Sequence, residues 1–179
     1  MKLYVTRHGQ TEWNTLNRIC GSTDVPLSEE GIRQAGALAE KCAACGDIDR
    51  IIASPMRRAQ MTAQIVSQRI GIAVQTDERL REWNYGALEG GSRFVPELDE
   101  VKMRWGCKAP GGGESVFQLV QRSYNAIDDV KRLYPGENVL FVCHGGISRI
   151  IDSYFHDMTM DRFMHYLLDN CELKVYEWE

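Results

Sequence analysis

Arg7, His8, Arg58, Glu82 and His144 fall into four short segments of this chain. The segments are Arg7-His8-Gly9, Ser54-Pro55-Met56-Arg57-Arg58-Ala59, Leu80-Arg81-Glu82 and Cys143-His144-Gly145-Gly146. An imidazole can attack phosphorus, and a carboxyl group can protonate the oxygen that leaves. Arginine forks and a second histidine can hold the phosphoryl oxygens. The set suits phosphoryl transfer through a phosphohistidine, a chemistry in which positioning and charge stabilisation supply most of the rate.

The elements that must position these groups are readable. Lys2 to Thr6 reads as a buried strand running into Arg7-His8-Gly9, and Val139 to Cys143 as another running into His144. Ligands of open α/β sheets bind beyond the carboxyl ends of strands, so both histidines are expected at one sheet edge. Gly9, Gly145 and Gly146 are expected to clear space for backbone N–H groups facing an anion, beside the positive end of the following helix. Ser54-Pro55 reads as a helix start, with a capping serine and proline in the first helical position. Arg58 then lies in the first turn.

Helical spacing and stop signals predict helices over Glu29 to Ala44, from Ser54 to Gly71, from Glu114 to about Tyr134 and from Ile147 to His156. Short strands are expected at Ile51 to Ala53 and Ile72 to Gln75, and an edge strand at Leu173 to Trp178. The stretch from Leu80 to about Gly113 reads as irregular, ending in the turn Pro110-Gly111-Gly112-Gly113. Alternating strands and helices predict a three-layer α/β/α sandwich with a largely parallel central sheet, as a single domain over residues 1–179.

Composition narrows the function classes. Hydrophobic residues make up 44% and charged residues 26%, ordinary for a soluble globular domain. A net charge of -4 argues against a general nucleic-acid binder, which shows a basic face. No signal-peptide core or membrane-length apolar stretch is visible, so a cytoplasmic protein without a membrane partner is expected. The six cysteines are scattered, and Cys42-Ala43-Ala44-Cys45 has no further ligands beside it, so reduced thiols and no metal or other cofactor are expected. The C-terminal edge strand is able to pair across a homodimer.

The segments also resemble the motifs of the histidine phosphatase superfamily, the phosphoglycerate-mutase-like proteins, through nearly the whole chain. Arg7-His8-Gly9-Gln10-Thr11-Glu12-Trp13-Asn14 is similar to the family's opening motif, and Asp24 to Gly31 to the segment entering its first helix. Ser54 to Ala63 resembles the second-arginine motif, in which the functional arginine directly precedes alanine, hence Arg58. Leu80 to Gly90 resembles the acid motif with Glu82 as the carboxyl. Gly113-Glu114-Ser115 and Cys143 to Arg149 complete the order. The resemblance implies a two-step, metal-free phosphomonoesterase acting on a small phosphorylated substrate. His8 becomes phosphohistidine, Glu82 protonates the leaving oxygen and then activates water, and Arg7, Arg58 and His144 hold the phosphoryl oxygens. Asn14, Gly21, Tyr85 and Gly145 are implied substrate contacts.

Two other readings share this scaffold. A cofactor-dependent phosphoglycerate mutase needs a cover, which in the family is an insertion between acid motif and long helix. Here only Gly90 to Gly113 lies there, with Arg93, Lys102, Arg104 and Lys108. The third residue after Cys143 is Gly146, where the mutases usually carry asparagine, although Tyr85 to Gly90 looks mutase-like. A non-catalytic phospho-ligand binder is the third reading, and the intact set of five polar residues weighs against it. Cys20 and the extra glycine in Gly111 to Gly113 depart from the common pattern on the expected substrate side. Trp83, Phe94, Met103 and Trp105 are candidates for an apolar substrate pocket or for packing. Arg57 reads as solvated, Arg149 as a brace for its helix, Cys143 as a packing residue, and His156 and His165 as structural.

Overall fold

The computed structural model describes residues 1–178. Five strands, β1 (Lys2–Arg7), β2 (Arg50–Ala53), β3 (Val74–Thr76), β4 (Val139–Cys143) and β5 (Leu173–Glu177), form one sheet in the order β3-β2-β4-β1-β5. All neighbours are parallel except β1 and β5, which pair antiparallel and make β5 an edge.

Strand alternation sorts the core into two layers. Tyr4, Ile51, Ala53, Leu140 and Val142 face one side, against α2 (Glu29–Cys45) and α3 (Arg57–Ile70). Leu3, Val5, Ile52, Phe141 and Cys143 face the other, against α5 (Val116–Leu133) and α6 (Gly145–Phe155). The expected α/β/α sandwich with a mostly parallel sheet is the fold observed.

Helix ends follow local chemistry. Ser28 Oγ accepts from Gly31 N at 3.1 Å to start α2, and Gly46, at φ 68°, closes it in the left-handed region. Ser115 and Gln118 form a reciprocal capping box at the start of α5. No helix is long and apolar enough to cross a membrane among the described residues.

Two sequence expectations need correction. Ser54 does not cap α3: the helix starts at Arg57 with Met56 as its N-cap and no side-chain cap bond, so Ser54 lies two residues too early, its hydroxyl accepting from Met56 N at 3.3 Å and meeting His144 at 2.7 Å. The stretch from Leu80 to Gly113 is not irregular throughout. It contains the short 3-10 turn Gly86–Leu88 and a helix, α4 (Pro96–Met103), which buries only Leu98 and Val101 and so leaves a weak periodic signal. The small helices α1 (Glu12–Thr15) and α7 (Met160–His165) also went unread.

Candidate active site

Sheet register assembles the centre. Arg7 lies opposite Cys143 in the β1–β4 ladder, so His8 and His144, one residue further along each strand, leave the sheet side by side. His8 N donates to Cys143 O at 3.0 Å, and Ser54 N to Val142 O at 3.0 Å, which brings the end of β2 to the same edge. The two imidazole centroids are 5.1 Å apart, and both rings are buried.

Hydrogen bonds define the state of each ring. His8 Nδ1 lies 2.7 Å from Gly9 O, so it carries the proton and Nε2 keeps its lone pair. Arg58 Nε points between the rings, 3.1 Å from His8 Nε2 and 3.2 Å from His144 Nδ1. His144 Nδ1 is therefore an acceptor, and its Nε2 donates to Ser54 Oγ at 2.7 Å. Burial, then the charges of Arg58 and Arg7, push His8 well below the ordinary histidine value. Burial and Arg58 do the same to His144. Both imidazoles are neutral near pH 7.

This burial has a measurable consequence. An unfolded histidine takes up a proton near its ordinary value of about 6.5, while the folded His8 and His144 do not. The unfolded state thus binds more protons below about pH 6.5, so stability falls as the pH drops from there toward the folded values. Each ring contributes at most about 1.4 kcal/mol per pH unit. Thermal unfolding followed from pH 7.5 to 5 is expected to show this decline, flattened in His144→Gln. An unchanged slope in the variant would remove His144 as a source.

Arg58 is fully buried and does not present an open fork. Its terminal nitrogens donate to Thr23 O at 2.9 Å and Gly21 O at 2.7 Å, leaving one hydrogen on each uncommitted. The Gly21–Thr23 loop is held in turn by Glu89. The Glu89 carboxylate accepts from the backbone N–H groups of Ser22 and Thr23 at 2.8 Å each, from both their hydroxyls, and from Tyr85 N at 3.1 Å. Arg7 differs: NH1 donates to Leu168 O at 3.1 Å, while its buried Nε has no partner among the described residues. Burial and, secondarily, Arg93 bring its pKa down to about 10, so Arg7 remains a cation near pH 7.

Glu82 faces this centre across one cavity. Its Oε1 accepts from Trp83 N at 2.8 Å and its Oε2 from Gly146 N at 3.1 Å. Two glycines therefore serve ends that differ from those the sequence suggested. Gly146 gives its N–H to Glu82, and a Cβ there would stand 2.5 Å from Glu82 Oε1. Gly9 gives its N–H to Thr62 Oγ1 at 3.0 Å, and a Cβ would meet Gly31 O at 2.4 Å, so it permits close approach of α2.

Eight of the nine sequence-derived site residues line this cavity: Arg7, His8, Asn14, Gly21, Arg58, Glu82, Tyr85 and Gly145. His144 is absent from the lining and meets the centre through Arg58 and Ser54. Cys20 lines the cavity, as do four further cations, Arg18, Arg93, Lys102 and Arg149. Arg18 and Arg93 are brought together by a small ladder in which Arg93 N donates to Asn17 O at 2.8 Å and Ile19 N to Gly91 O at 2.9 Å. Lys102 and Leu98 come from α4. Arg149 braces α6 as expected, donating to Tyr166 O at 2.8 Å, and it also lines the cavity.

The segment before β5 contributes backing that no motif signalled. Besides Tyr166 O and Leu168 O, Asn170 Nδ2 donates to His8 O at 2.7 Å and Cys171 N to Arg7 O at 2.9 Å. Trp83 is a core residue, donating its indole N–H to Glu114 O at 2.8 Å, while Phe94, Met103 and Trp105 are exposed and outside the cavity lining. Among the described residues, no group of three or more His, Cys, Asp or Glu is placed to hold a metal ion.

The sequence and the fold are similar to those of known proteins. Residues 3–179 match the family model of the histidine phosphatase superfamily, branch 1. A Yersinia pestis protein named "Probable phosphoglycerate mutase" is 34% identical over 188 residues, covering 100% of this chain and 86% of that protein. The structure of a mycobacterial glucosyl-3-phosphoglycerate phosphatase complexed with VO3 is similar at TM-score 0.85 and 28% identity, covering 97% of this chain and 91% of the other. A phosphoserine phosphatase mutant from Entamoeba histolytica, in complex with phosphoserine, is similar at TM-score 0.86 and 26% identity, covering 99% and 91%.

Proposed function

Since the chain belongs to branch 1 of the histidine phosphatase superfamily, we propose that it acts, as one catalytic domain, as a phosphomonoesterase that hydrolyses a small phosphorylated metabolite through a phosphohistidine on His8. One observation carries the reading: His8 Nε2 is unprotonated beside Arg58, in the same cavity as the Glu82 carboxyl and Arg7. In the first step Nε2 attacks phosphorus, the ester P–O bond breaks, and Glu82 gives its proton to the departing alcohol oxygen. In the second step Glu82 takes a proton from water as that water attacks the phosphohistidine, and phosphate and free His8 result. Arg7 and the uncommitted hydrogens of Arg58 face the charge on the phosphoryl oxygens. His144 fixes Arg58, and Asn14, Gly21, Tyr85 and Gly145 bound the space for the leaving group. The mechanism needs no metal.

Cavity charge supports an acidic substrate. Six cations line it, Arg7, Arg18, Arg58, Arg93, Lys102 and Arg149, and Glu82 is the sole carboxylate among the described lining residues. Arg7 and Arg58 face one phosphoryl group; Lys102 is paired with Asp99 at 2.8 Å and Arg149 donates to Tyr166 O, so Arg18 and Arg93 are the cations best suited to a second anionic group on the same molecule.

A mutase is the second reading, favoured by the name of the Yersinia relative and by α4, which lends the cavity Leu98 and Lys102 without a long insertion. Phosphorus NMR separates the two. The protein is given 3-phosphoglycerate, a trace of 2,3-bisphosphoglycerate and several other phosphomonoesters. Growth of free phosphate supports the hydrolase. Appearance of 2-phosphoglycerate without matching phosphate would replace it with the mutase.

A further inference from the structure

The segment that carries Glu82 has little structure of its own. Between the 3-10 turns Glu78–Leu80 and Gly86–Leu88 it has no regular structure, so helix or strand geometry does not fix the direction of the carboxyl. Arg122, on α5, supplies what the segment lacks. Its NH1 donates to Arg79 O at 2.5 Å and Arg81 O at 2.6 Å, and its NH2 to Glu82 O at 3.1 Å. Nε and NH2 also grip both oxygens of Glu114, at 2.7 and 2.9 Å. A guanidinium has five N–H donors in a fixed plane, and here all five are used, three of them on carbonyls within the four residues Arg79 to Glu82. Glu114 adds two backbone ties to the same stretch: its N donates to Asn84 O at 2.8 Å and its O accepts from the Trp83 indole at 2.8 Å. The Arg122 side chain is 20% exposed and that of Glu114 16%. Arg122 is absent from the lining of the catalytic cavity and lines a neighbouring cleft that shares Glu82 with it.

We propose that Arg122, paired with Glu114, is a positioning residue for the general acid: it sets the backbone from which Glu82 reaches the leaving-group oxygen. The inference rests on Glu82 being the proton donor. Lysine retains the charge but has no planar fork to span three carbonyls and a carboxylate. Displacement of the acid by an ångström slows the step that needs its proton and spares the step that does not.

The test uses leaving groups of different need. Arg122→Lys, Glu82→Gln and the parent are assayed on an aryl phosphate, whose phenolate leaves unaided, and on an alkyl phosphate, whose alkoxide must be protonated. Arg122→Lys is expected to lose about tenfold to a hundredfold in kcat/KM, which reports phosphoryl transfer to His8 and not the later hydrolysis shared by all esters, on the alkyl ester and less than about threefold on the aryl ester. Equal loss on both esters, or no loss, overturns the positioning role. Glu82→Gln isolates the premise. If it shows no leaving-group split, the acid assignment itself fails. If it shows the split and Arg122→Lys does not, only the role of Arg122 fails. Should Arg122→Lys fold poorly, Glu114→Gln, which keeps shape and removes the counter-charge, must give the same directional split, and its absence overturns the proposal equally.

Discussion

His8→Ala is expected to lower turnover by about four orders of magnitude or more, because a covalent route loses its nucleophile and not merely a contact. Nothing nearby can substitute. The neighbouring imidazole, His144, has both nitrogens committed, one accepting from Arg58 and the other donating to Ser54. Intact-mass analysis after brief substrate exposure and neutral quenching checks the cause directly. The parent should carry one phosphoryl adduct that maps to His8, and the variant none. An adduct that persists in His8→Ala would move the nucleophile elsewhere.

Arg58→Lys is expected to be nearly as damaging, about a hundredfold to a thousandfold in kcat, despite conserving the charge. Arg58 bonds both imidazoles through one nitrogen and the carbonyls of Gly21 and Thr23 through the other two. A lysine ammonium is a single point at the end of a flexible stem and cannot occupy three corners of that plane. The lost charge placement affects every ester alike, so aryl and alkyl phosphates should fall together, unlike the split expected when the acid is disturbed. A lysine variant within about tenfold of the parent would mean that charge alone is what Arg58 supplies.

The parts legible in the sequence were those written in side chains at fixed spacing. Buried strand runs ending at Arg7-His8 and Cys143-His144 placed both histidines at one edge, and Arg58 follows β2 to the same place. What escaped was written in backbone atoms or in residues with two plausible uses. Ser54 before a proline is a helix cap by local rules, yet its hydroxyl serves His144 across the sheet. Gly9 and Gly146 were read as openings for an anion; packing against α2 and room for Glu82 decide them instead. Arg122 sits among the charged residues of an amphipathic helix, where nothing local separates a solvated arginine from one holding three carbonyls. Short helices such as α4 and α7 have too few turns for periodicity to show.

The carbonyls of Tyr166 and Leu168 and the amide of Asn170 back Arg149, Arg7 and His8, and all three lie just before the last strand. Arg7 stands 161 residues before Leu168 and His8 162 residues before Asn170, so each contact closes a very long loop of chain. A folding intermediate in which that segment has not yet docked holds both side chains without the wall behind them. Loosening the segment before the last strand is therefore expected to free Arg7 and His8 to move without any change to either side chain.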